Sequence, residues 1–408
     1  MSYIDRLISE RLGGINFGLD TTTYKFEKIK RAKAQLKKRN PEVKLIDMGV
    51  GEPDSAADKE VVKILSIESG KVENRYYADN GILEFKVSAC KYLESVYKVK
   101  GLDPERNIIH GIGSKPILAM IPICIINPGD YVLMTTPGYP ILGTYTKYLG
   151  GKVYDLELKE ENNFFPDLNN IPKEILKKAK ILYINYPNNP TGQTATEEFF
   201  KEVVQFAKKN EILVVHDAAY AAVTFDGYEP LSFLSVEGAI DVGVEIHSLS
   251  KAFNMTGWRL AFIAGNEKVV KAYGAVKDNT DSGQFRAIQK AGIYAMEHTD
   301  ITKKTCEKYS RRFDLLVKAL EEVGFTAKKP KGTFYCYVKA PIGAGNIRFE
   351  NAEEAAEFLI INAAISTVPW DEVGAYLRFS VTFEVLEETE EDIINEVKDR
   401  LKALKLVF

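Results

Sequence analysis

The sequence is poor in cysteine and histidine, and this scarcity makes several kinds of site improbable. Its 408 residues include 4 cysteines and 4 histidines. The cysteines form no Cys-X-X-Cys pair and no Cys/His cluster, so neither a zinc site nor a disulfide framework is indicated. We therefore expect reduced thiols and no metal. The cysteines are Cys90, Cys124, Cys306 and Cys336.

Excess charge and long apolar runs are also lacking. The chain has 54 Lys+Arg and 57 Asp+Glu, a formal net charge of -3, which provides no general attraction to nucleic acid or to an anionic membrane. No window approaches the ~18 uninterrupted apolar residues of a membrane span, and residues 1–6 lack the apolar core of a signal peptide. The expectation is a cytoplasmic protein that binds neither nucleic acid nor membrane.

Between about residues 45 and 265, the sequence alternates strand and helix patterns in the way that is typical of an α/β protein. Short apolar runs such as Ile181–Ile184 and Ile212–Val215 predict strands that end in Asn, Asp, Gly or Pro. A helical pattern lies between these two runs, and we predict a capping box from Thr194 to Glu197 at its start. Strand, helix and strand in this order predict a wound sheet, with ligands beyond the carboxyl ends of its strands.

The pattern changes from about residue 305 onward. A long amphipathic helix ends at Gly324, and strands are predicted at Phe334–Val338 and Leu377–Val381, before a last helix that starts at Thr389. This order is typical of a second, α+β domain. The predicted domains are an N-terminal arm with part of the small domain (1–45), a large domain (46–290) and a small C-terminal domain (291–408).

Two predicted strand ends are followed by turns that are suited to ligands. Gly113, Ser114 and Lys115 open a helix after an apolar run, and exposed amides at a helix start can bind an anion. Glycine turns before helices are common without any ligand, so this signal is weak alone. Asn189 lies in a turn that two prolines and Gly192 constrain, and a purely structural turn would look the same.

Two further strand ends carry stronger signals. Asp217 ends a buried run with Tyr220 three residues later, and a buried carboxylate needs a cationic partner. After the next run come Ser248, Lys251 and Arg259. A single lysine there would be read as a surface residue. Together, however, a Schiff-base lysine, a carboxylate for a pyridinium nitrogen and donors for a phosphate are what pyridoxal 5'-phosphate requires.

These segments, with a late Arg378, resemble the fold-type I, class I/II aminotransferases from about Tyr24 to the C-terminus. The resemblance implies an α/β fold with a large domain of mostly parallel sheet wound with helices and a smaller α+β domain. It implies that Lys251 binds pyridoxal 5'-phosphate and moves the proton between the substrate Cα and the cofactor C4'. Asp217 would pair with the pyridinium nitrogen, and Arg378 would grip the substrate α-carboxylate with its fork of donors.

The same resemblance implies further contacts with the cofactor. Asn189 and Tyr220 would hydrogen-bond its phenolic oxygen, and Tyr139 would stack on its ring. Tyr76 resembles a tyrosine that reaches the phosphate from the partner subunit, which implies a homodimer with shared active sites. The residues implied to hold the phosphate are Ser114, Ser248 and Arg259, with Gly113 and Lys115 in the same turn as Ser114.

Within this class, three segments resemble the LL-diaminopimelate aminotransferase family: Tyr24–Phe26, Gly113–Lys115 and Asn279–Phe285. That family exchanges an amino group between LL-2,6-diaminopimelate and 2-oxoglutarate, giving tetrahydrodipicolinate and glutamate in lysine and diaminopimelate biosynthesis. Bacterial aspartate aminotransferases also carry a lysine at the position of Lys115, and Ser55–Asp58 departs from the family's usual continuation. The implied substrate contacts are Tyr24, Gly51, Lys115, Asn189, Ser282 and Arg378.

Other functions stay open at this point. An aspartate or broad-specificity aminotransferase, or a β-lyase of the same fold, would keep every cofactor residue named above. A non-catalytic homologue would not require Lys251, Asp217, Asn189 and Arg378 together. His110, His216 and His247 each end an apolar run, where we expect structural hydrogen bonds. An indirect effect of His216 and His247 on Asp217 stays open.

Overall fold

The computed structural model describes residues 3–18 and 25–408, without the side chains of 25–27. The chain divides into two compact units. The smaller unit contains Met1–Val50, Lys318–Ala327 and Tyr337–Phe408, and the larger unit contains Gly51–Val317 and Lys328–Cys336. Residues 291–317 thus lie in the larger unit, and the sequence-based domain boundaries stay a prediction. Among the described residues, no helix is long and apolar enough to cross a membrane.

The α-helices of the described residues are numbered in chain order. They are α1 Lys25–Arg39, α2 Lys59–Ser69, α3 Leu83–Tyr97, α4 Ser114–Ile125, α5 Ile141–Tyr148, α6 Lys173–Leu176, α7 Glu197–Asn210, α8 Ala239–Val242, α9 Leu249–Ala252, α10 Glu267–Lys277, α11 Arg286–Glu297, α12 Asp300–Val323, α13 Ala352–Ala363 and α14 Glu390–Ala403.

The strands are numbered in the same way. They are β1 Ile46–Asp47, β2 Ile108–Gly111, β3 Tyr131–Thr136, β4 Lys152–Glu157, β5 Ala179–Asn185, β6 Leu213–Asp217, β7 Gly243–Ser248, β8 Ala261–Gly265, β9 Tyr335–Lys339, β10 Gly343–Ala344, β11 Ile347–Arg348, β12 Ile365–Ser366, β13 Val368–Trp370, β14 Tyr376–Ser380 and β15 Leu406–Val407.

A seven-stranded sheet forms the centre of the larger unit, in the order β2-β8-β7-β6-β5-β3-β4. Only β8 runs antiparallel to its neighbours β2 and β7, and the other neighbouring pairs in this sheet are parallel. Its central strands β5, β6 and β7 are mostly or wholly buried, as expected for a parallel sheet covered on both faces. The predicted fold class, with a mostly parallel sheet wound with helices, is confirmed.

The β5-α7-β6 segment is the strand-helix-strand unit that the sequence indicates. Helix α7 buries Phe199, Phe200, Val203, Val204 and Ala207. It ends at Asn210, and its N-cap is Thr196, whose side chain accepts a hydrogen bond from Phe199 N. The prediction of Thr194 was wrong, because a Thr two residues further along reaches the free amides of the first turn.

The carboxyl ends of the parallel strands bring the candidate residues to one edge of this sheet. Asn185 at the end of β5 is paired with Asp217 at the end of β6, and Asp217 is paired with Ile246 of β7. Ser248, the last residue of β7, is two positions further along that strand. Strand register therefore places the turn after β5, the carboxylate of β6 and the lysine-bearing helix α9 side by side.

The smaller unit has its own core and sheets. Ile29 and Leu36 of α1 pack with Ile360 of α13 and with residues around β13. A sheet of order β13-β14-β9 carries Arg378, and two further small sheets have the orders β1-β12 and β11-β10-β15. Helix α14 begins with a capping box between Thr389 and Asp392, which is the helix start that the sequence predicts.

Candidate active site

Lys251 lies on the short helix α9, directly after β7. Ser248 caps this helix, and its Oγ accepts a hydrogen bond of 3.2 Å from Ser250 N. The Lys251 Nζ donates to the carbonyl oxygen of Gly51 at 2.7 Å and lies 5.9 Å from the ring centroid of Phe334. Two residues of the sequence-based site, Lys251 and Gly51, are thus in direct contact.

Asp217 is a buried carboxylate with few donors. Its side chain accepts hydrogen bonds from the Tyr183 hydroxyl at 3.2 Å and from Ala219 N at 3.3 Å, and the residue is 4% exposed. Burial raises the pKa of Asp217, while the charge of His216 and the Tyr183 hydrogen bond oppose that rise. A carboxylate in this setting is stabilised by a cation placed against it.

Asn185 connects the end of β6 to the turn that carries Asn189. Its side-chain amide donates to the Asp217 carbonyl oxygen at 2.8 Å, and its Oδ1 accepts from Asn189 N at 2.9 Å. Asn185 was not among the residues predicted from the sequence. The signal that could have found it is a polar residue at the last position of an otherwise apolar strand, where a buried amide must be hydrogen-bonded.

Tyr220 is held by an aromatic partner from a distant part of the chain. Its hydroxyl lies 3.1 Å from the hydroxyl of Tyr335, and the ring of Phe334 packs edge-on against it at 5.4 Å. Tyr335 was not predicted from the sequence either, because 115 residues separate the two tyrosines and no local pattern indicates their contact. Tyr139, which follows β3, is half-buried.

The turn before α4 forms a cradle with Arg259. Gly113 has φ of +85°, and an added Cβ would lie 2.1 Å from the Arg259 Nη2. Arg259 adopts φ of +57°, and its Nη1 donates to Thr256 O at 2.7 Å. A guanidinium beside the N-terminus of a twelve-residue helix is an arrangement that binds an anion. Ser114, the first residue of α4, is half-buried, and Lys115 is exposed.

The loops that carry Tyr76 and Ser282 are joined to each other in the larger unit. Ala78 and Gly283 form an isolated bridge, and Arg286 donates to the Tyr77 carbonyl oxygen at 2.8 Å. The side chain of Tyr76 is 54% exposed, and its hydroxyl accepts a hydrogen bond of 2.5 Å from Arg75. Ser282 and Asn279 are exposed.

Lys277 lies beneath these two loops and is fully buried. It donates to the Asp79 carbonyl oxygen at 2.5 Å and forms an ion pair with Asp281. One lysine therefore fixes the loop after Tyr76 and the loop that includes Ser282. Lys277 was not predicted from the sequence, because a lysine on a helix is usually a solvated residue.

Asp54 anchors the segment that follows Gly51. Its carboxylate lies 2.7 Å from the Lys308 Nζ and 3.0 Å from the Arg312 Nη2, and both cations lie on α12. The side chains of Asp54 and Arg312 are 8% and 2% exposed. This buried ion pair holds the start of the segment that departs from the family pattern, and it was not foreseen from sequence.

Two sequence-based site residues remain, Arg378 and Tyr24. Arg378, on β14 in the smaller unit, is 4% exposed, and its Nη2 donates to the Gly49 carbonyl oxygen at 3.1 Å. Tyr24 lies outside the described residues.

The three strand-end histidines differ in their hydrogen bonding. His216 and His247 both bond to Glu245, which confirms the expected structural hydrogen bonds. For His110 that expectation was wrong, because neither ring nitrogen has a partner among the residues that the structure describes. Burial, followed by the charge of Lys277, lowers the pKa of His110 to about 3, so the ring is held neutral.

Comparisons with known proteins identify relatives along the whole chain. The family model described as "Aminotransferase class I and II" matches residues 43–393. An LL-diaminopimelate aminotransferase of Methanocaldococcus jannaschii is 56% identical, and the alignment covers 100% of this chain and 99% of the relative. An enzyme of the same name from Methanococcus maripaludis is 55% identical with the same coverage. The solved structure of substrate-bound BacF from Bacillus subtilis is 30% identical, with a TM-score of 0.87 and 98% coverage of both chains.

Proposed function

This chain belongs to the class I and II aminotransferase family, and we propose that it transfers an amino group from LL-2,6-diaminopimelate to 2-oxoglutarate. The products would be tetrahydrodipicolinate and glutamate, in lysine and diaminopimelate biosynthesis. Relatives that carry the name LL-diaminopimelate aminotransferase, and that match over the full length at 56% and 55% identity, support this substrate. We further propose pyridoxal 5'-phosphate as the cofactor.

The donor set around β6 and β7 fits that cofactor, and the observation that carries the proposal is the close approach of Gly113 to Arg259. This cradle, with Ser114 and Ser248, would hold the phosphate. When bound, pyridoxal phosphate supplies a ring that accepts the electron pair left when the substrate Cα loses a proton. Asn189 and Tyr220 would bind the phenolic oxygen of the cofactor, and Tyr139 would cover its ring.

Two side chains of the protein, those of Asp217 and Lys251, would each hold or move one proton. Asp217, buried and short of donors, would hold a proton on the ring nitrogen, because burial strengthens the attraction between opposite charges. Lys251, whose amine donates a hydrogen bond to Gly51 O, would remove the proton from the substrate Cα and deliver it to C4' of the cofactor. General acid-base catalysis of this kind contributes about 10²- to 10⁴-fold to a rate.

The substrate contacts form the next part of the proposal. Arg378 would bind the α-carboxylate of either substrate, and Lys115, which is exposed beside the cradle, would bind the distal carboxylate. The two substrates, LL-diaminopimelate and 2-oxoglutarate, both carry a carboxylate at each end, so one pair of cations would serve both. Tyr24, Gly51 and Ser282 complete the proposed contacts.

We also propose a homodimer with shared active sites. Several large apolar side chains close to Tyr76 in sequence, and Phe285 next to Arg286, are strongly exposed, which is typical of a surface that another chain covers. Two guanidinium groups stand beside the Tyr76 ring, at 4.0 Å (Arg75) and 5.6 Å (Arg286). The exposed residues and their exposed fractions are Ile67 54%, Val72 69%, Tyr76 54%, Tyr77 78%, Leu83 50% and Phe285 43%.

A panel of amino donors with 2-oxoglutarate, read as glutamate formed, tests the substrate. We expect LL-diaminopimelate to be preferred over aspartate, alanine, aromatic amino acids and lysine by about 10²-fold or more in kcat/KM, since unpaired polar groups in a site penalise the wrong substrate. Lys115→Ala should raise KM for both partners. A better rate with aspartate would replace the proposal with an aspartate aminotransferase, and pyruvate release from cystathionine would indicate a β-lyase.

A further inference from the structure

A buried polar network lies beside the end of β6, at the back of Asp217. Glu245, the third residue of β7, is 0% exposed. Its two carboxylate oxygens each lie within hydrogen-bond distance of two donor groups. The partners are His216 Nδ1 at 2.8 Å and Phe233 N at 2.6 Å on Oε2, with His247 Nε2 at 2.5 Å and Ser232 Oγ at 2.6 Å on Oε1.

The charges in this network follow from its geometry. Burial alone would raise the pKa of Glu245, but the adjacent imidazoles and their hydrogen bonds lower it below its ordinary value, so Glu245 is ionised. A buried carboxylate needs a cationic partner. His216 has the hydrogen-bond geometry of that partner: its Nδ1 faces Glu245 at 2.8 Å, and its Nε2 faces the Tyr186 carbonyl oxygen at 2.9 Å. A neutral ring would instead accept from Tyr186 N, at the longer distance of 3.3 Å.

The surroundings of the network are aromatic. The ring of His216 lies 5.1 Å from Phe200 and 6.4 Å from Phe233, and the ring of His247 stacks on Phe262 at 5.2 Å. Tyr97, 5.0 Å from His247, has its pKa raised well above the ordinary value by burial, so it stays a neutral phenol. Charges in so apolar a setting are weakly screened.

The network reaches Asp217 through the sheet. His216 is paired with Glu245, and Asp217 is paired with Ile246. Successive side chains of a strand point to opposite faces, so the carboxylate of Asp217 and the His216–Glu245 pair lie on opposite faces of β6, separated by the backbone. Burial raises the pKa of Asp217, and the charge of His216 lowers it more than any other group does.

We propose that Glu245 and His216 are positioning residues of the reaction, with Glu245 holding His216 as a cation and this cation keeping Asp217 ionised opposite the ring nitrogen of the cofactor. The inference rests on the proposed function, because it needs pyridoxal phosphate at Asp217. It adds two residues that touch neither cofactor nor substrate and that act only through Asp217. A folding role alone would not need charge here, since apolar residues of similar volume replace many buried ion pairs without loss of stability.

The experiment is a pH titration of the visible absorption of the holoenzyme, for the wild type, Glu245→Gln and His216→Gln. A protonated ring nitrogen withdraws electrons from the Schiff-base nitrogen and lowers its pKa. Without the His216 cation, Asp217 should be less ionised and should hold the proton on the ring nitrogen less well. We therefore expect the titration midpoint of both variants to shift upward by about one pH unit. The kcat should fall by about tenfold or more, while KM for the amino donor changes little. Ser232→Ala, which removes an uncharged donor from Glu245, is the matched control and should keep the midpoint.

Each outcome decides between the two proposals. An unshifted midpoint and normal kcat in a folded Glu245→Gln variant overturn the inference alone. If both variants fail to fold, neutron diffraction from the wild type shows whether His216 carries protons on both ring nitrogens, and a neutral ring overturns the inference. A wild-type protein without a visible band overturns the proposed function and this inference together. If the wild type has a normal visible band but prefers another amino donor, only the proposed substrate changes. The inference stands in that case, because the titration contains no amino donor.

Discussion

The guanidinium of Arg259 occupies the space that a side chain at position 113 would need. A Cβ on Gly113 would lie 2.1 Å from Nη2 and 2.7 Å from Cζ. Both residues have positive φ, +85° for Gly113 and +57° for Arg259. This close approach joins the turn after β2 to the segment after α9, and it forms the anion cradle on which the cofactor proposal depends.

Gly113→Ala should weaken cofactor binding. Alanine at the φ of +85° and ψ of 161° of Gly113, a conformation that almost only glycine adopts, costs about 1–3 kcal/mol, and the added methyl group must displace Arg259. We expect pyridoxal phosphate to bind at least about tenfold more weakly, measured by fluorescence titration of the cofactor-free protein. Gly129→Ala, at a glycine of similar φ with open space around it, controls for the backbone cost. Equal affinity in both variants would show that the cradle does not hold the phosphate.

Lys251→Ala should abolish transamination and the visible absorption of the bound cofactor. The amine both anchors the cofactor and moves the proton, so we expect kcat to fall by at least about 10³-fold. Far-UV circular dichroism should stay native, because the substitution keeps the Ser248 cap of α9 and alanine favours a helix. Lys268→Ala, on the exposed start of α10, is the control. Retained turnover in Lys251→Ala would remove this lysine from its proposed role.

Subunit hybrids test the shared active sites. Lys251→Ala and Tyr76→Ala should each be impaired as homodimers. When the two are mixed under conditions of subunit exchange, the heterodimer has one site with both native residues, and activity should recover toward about half of wild type per heterodimer. Mass spectrometry confirms the exchange. Heterodimers that form without recovery would place Tyr76 and Lys251 of each site on one chain.

Lys277→Met should uncouple the two loops that carry Tyr76 and Ser282. The change leaves Asp281 and the Asp79 carbonyl oxygen without their donor, and breaking a buried ion pair costs about 3 kcal/mol. We expect a lower midpoint in chemical denaturation and a raised KM for amino donor. Lys268→Met, at an exposed position, should change stability by less than about 0.5 kcal/mol. Wild-type stability in Lys277→Met would contradict the role given to this ion pair.

His110 should make the protein sensitive to acid. Its pKa is lowered from 6.5 to about 3 by burial and by Lys277, so between these values the unfolded chain binds a proton that the folded chain does not. Stability therefore falls as pH decreases from 6.5 toward 3, by on the order of 4 kcal/mol from this residue. Denaturation of the wild type and His110→Gln across this range should show a flatter profile for the variant. Parallel profiles would mean that His110 has the same pKa in the folded and the unfolded protein, and would contradict this prediction.

Local patterns in the sequence were sufficient for many of the helices and strands and for selecting the residues that we propose for the cofactor. The runs before Asn185 and Asp217 are strands, and Thr389 begins the last helix, because burial and capping act within a few residues. The Thr194 cap was wrong for a local reason as well, since two threonines compete for the same amides. The residues proposed for the cofactor follow predicted strand ends and carry distinctive side chains, so their pattern and the family resemblance were enough to select them.

What only the tertiary structure decided is which distant groups support those residues. Tyr335 reaches Tyr220, Glu245 bridges two histidines, and Lys277 fixes two loops, each contact joining segments far apart in sequence or on different strands. A tyrosine, a glutamate or a lysine in a sequence looks the same whether it is exposed or buried. Only the folded chain removes water from these side chains, and the loss of water is what obliges them to find partners and gives their charges an effect on the site.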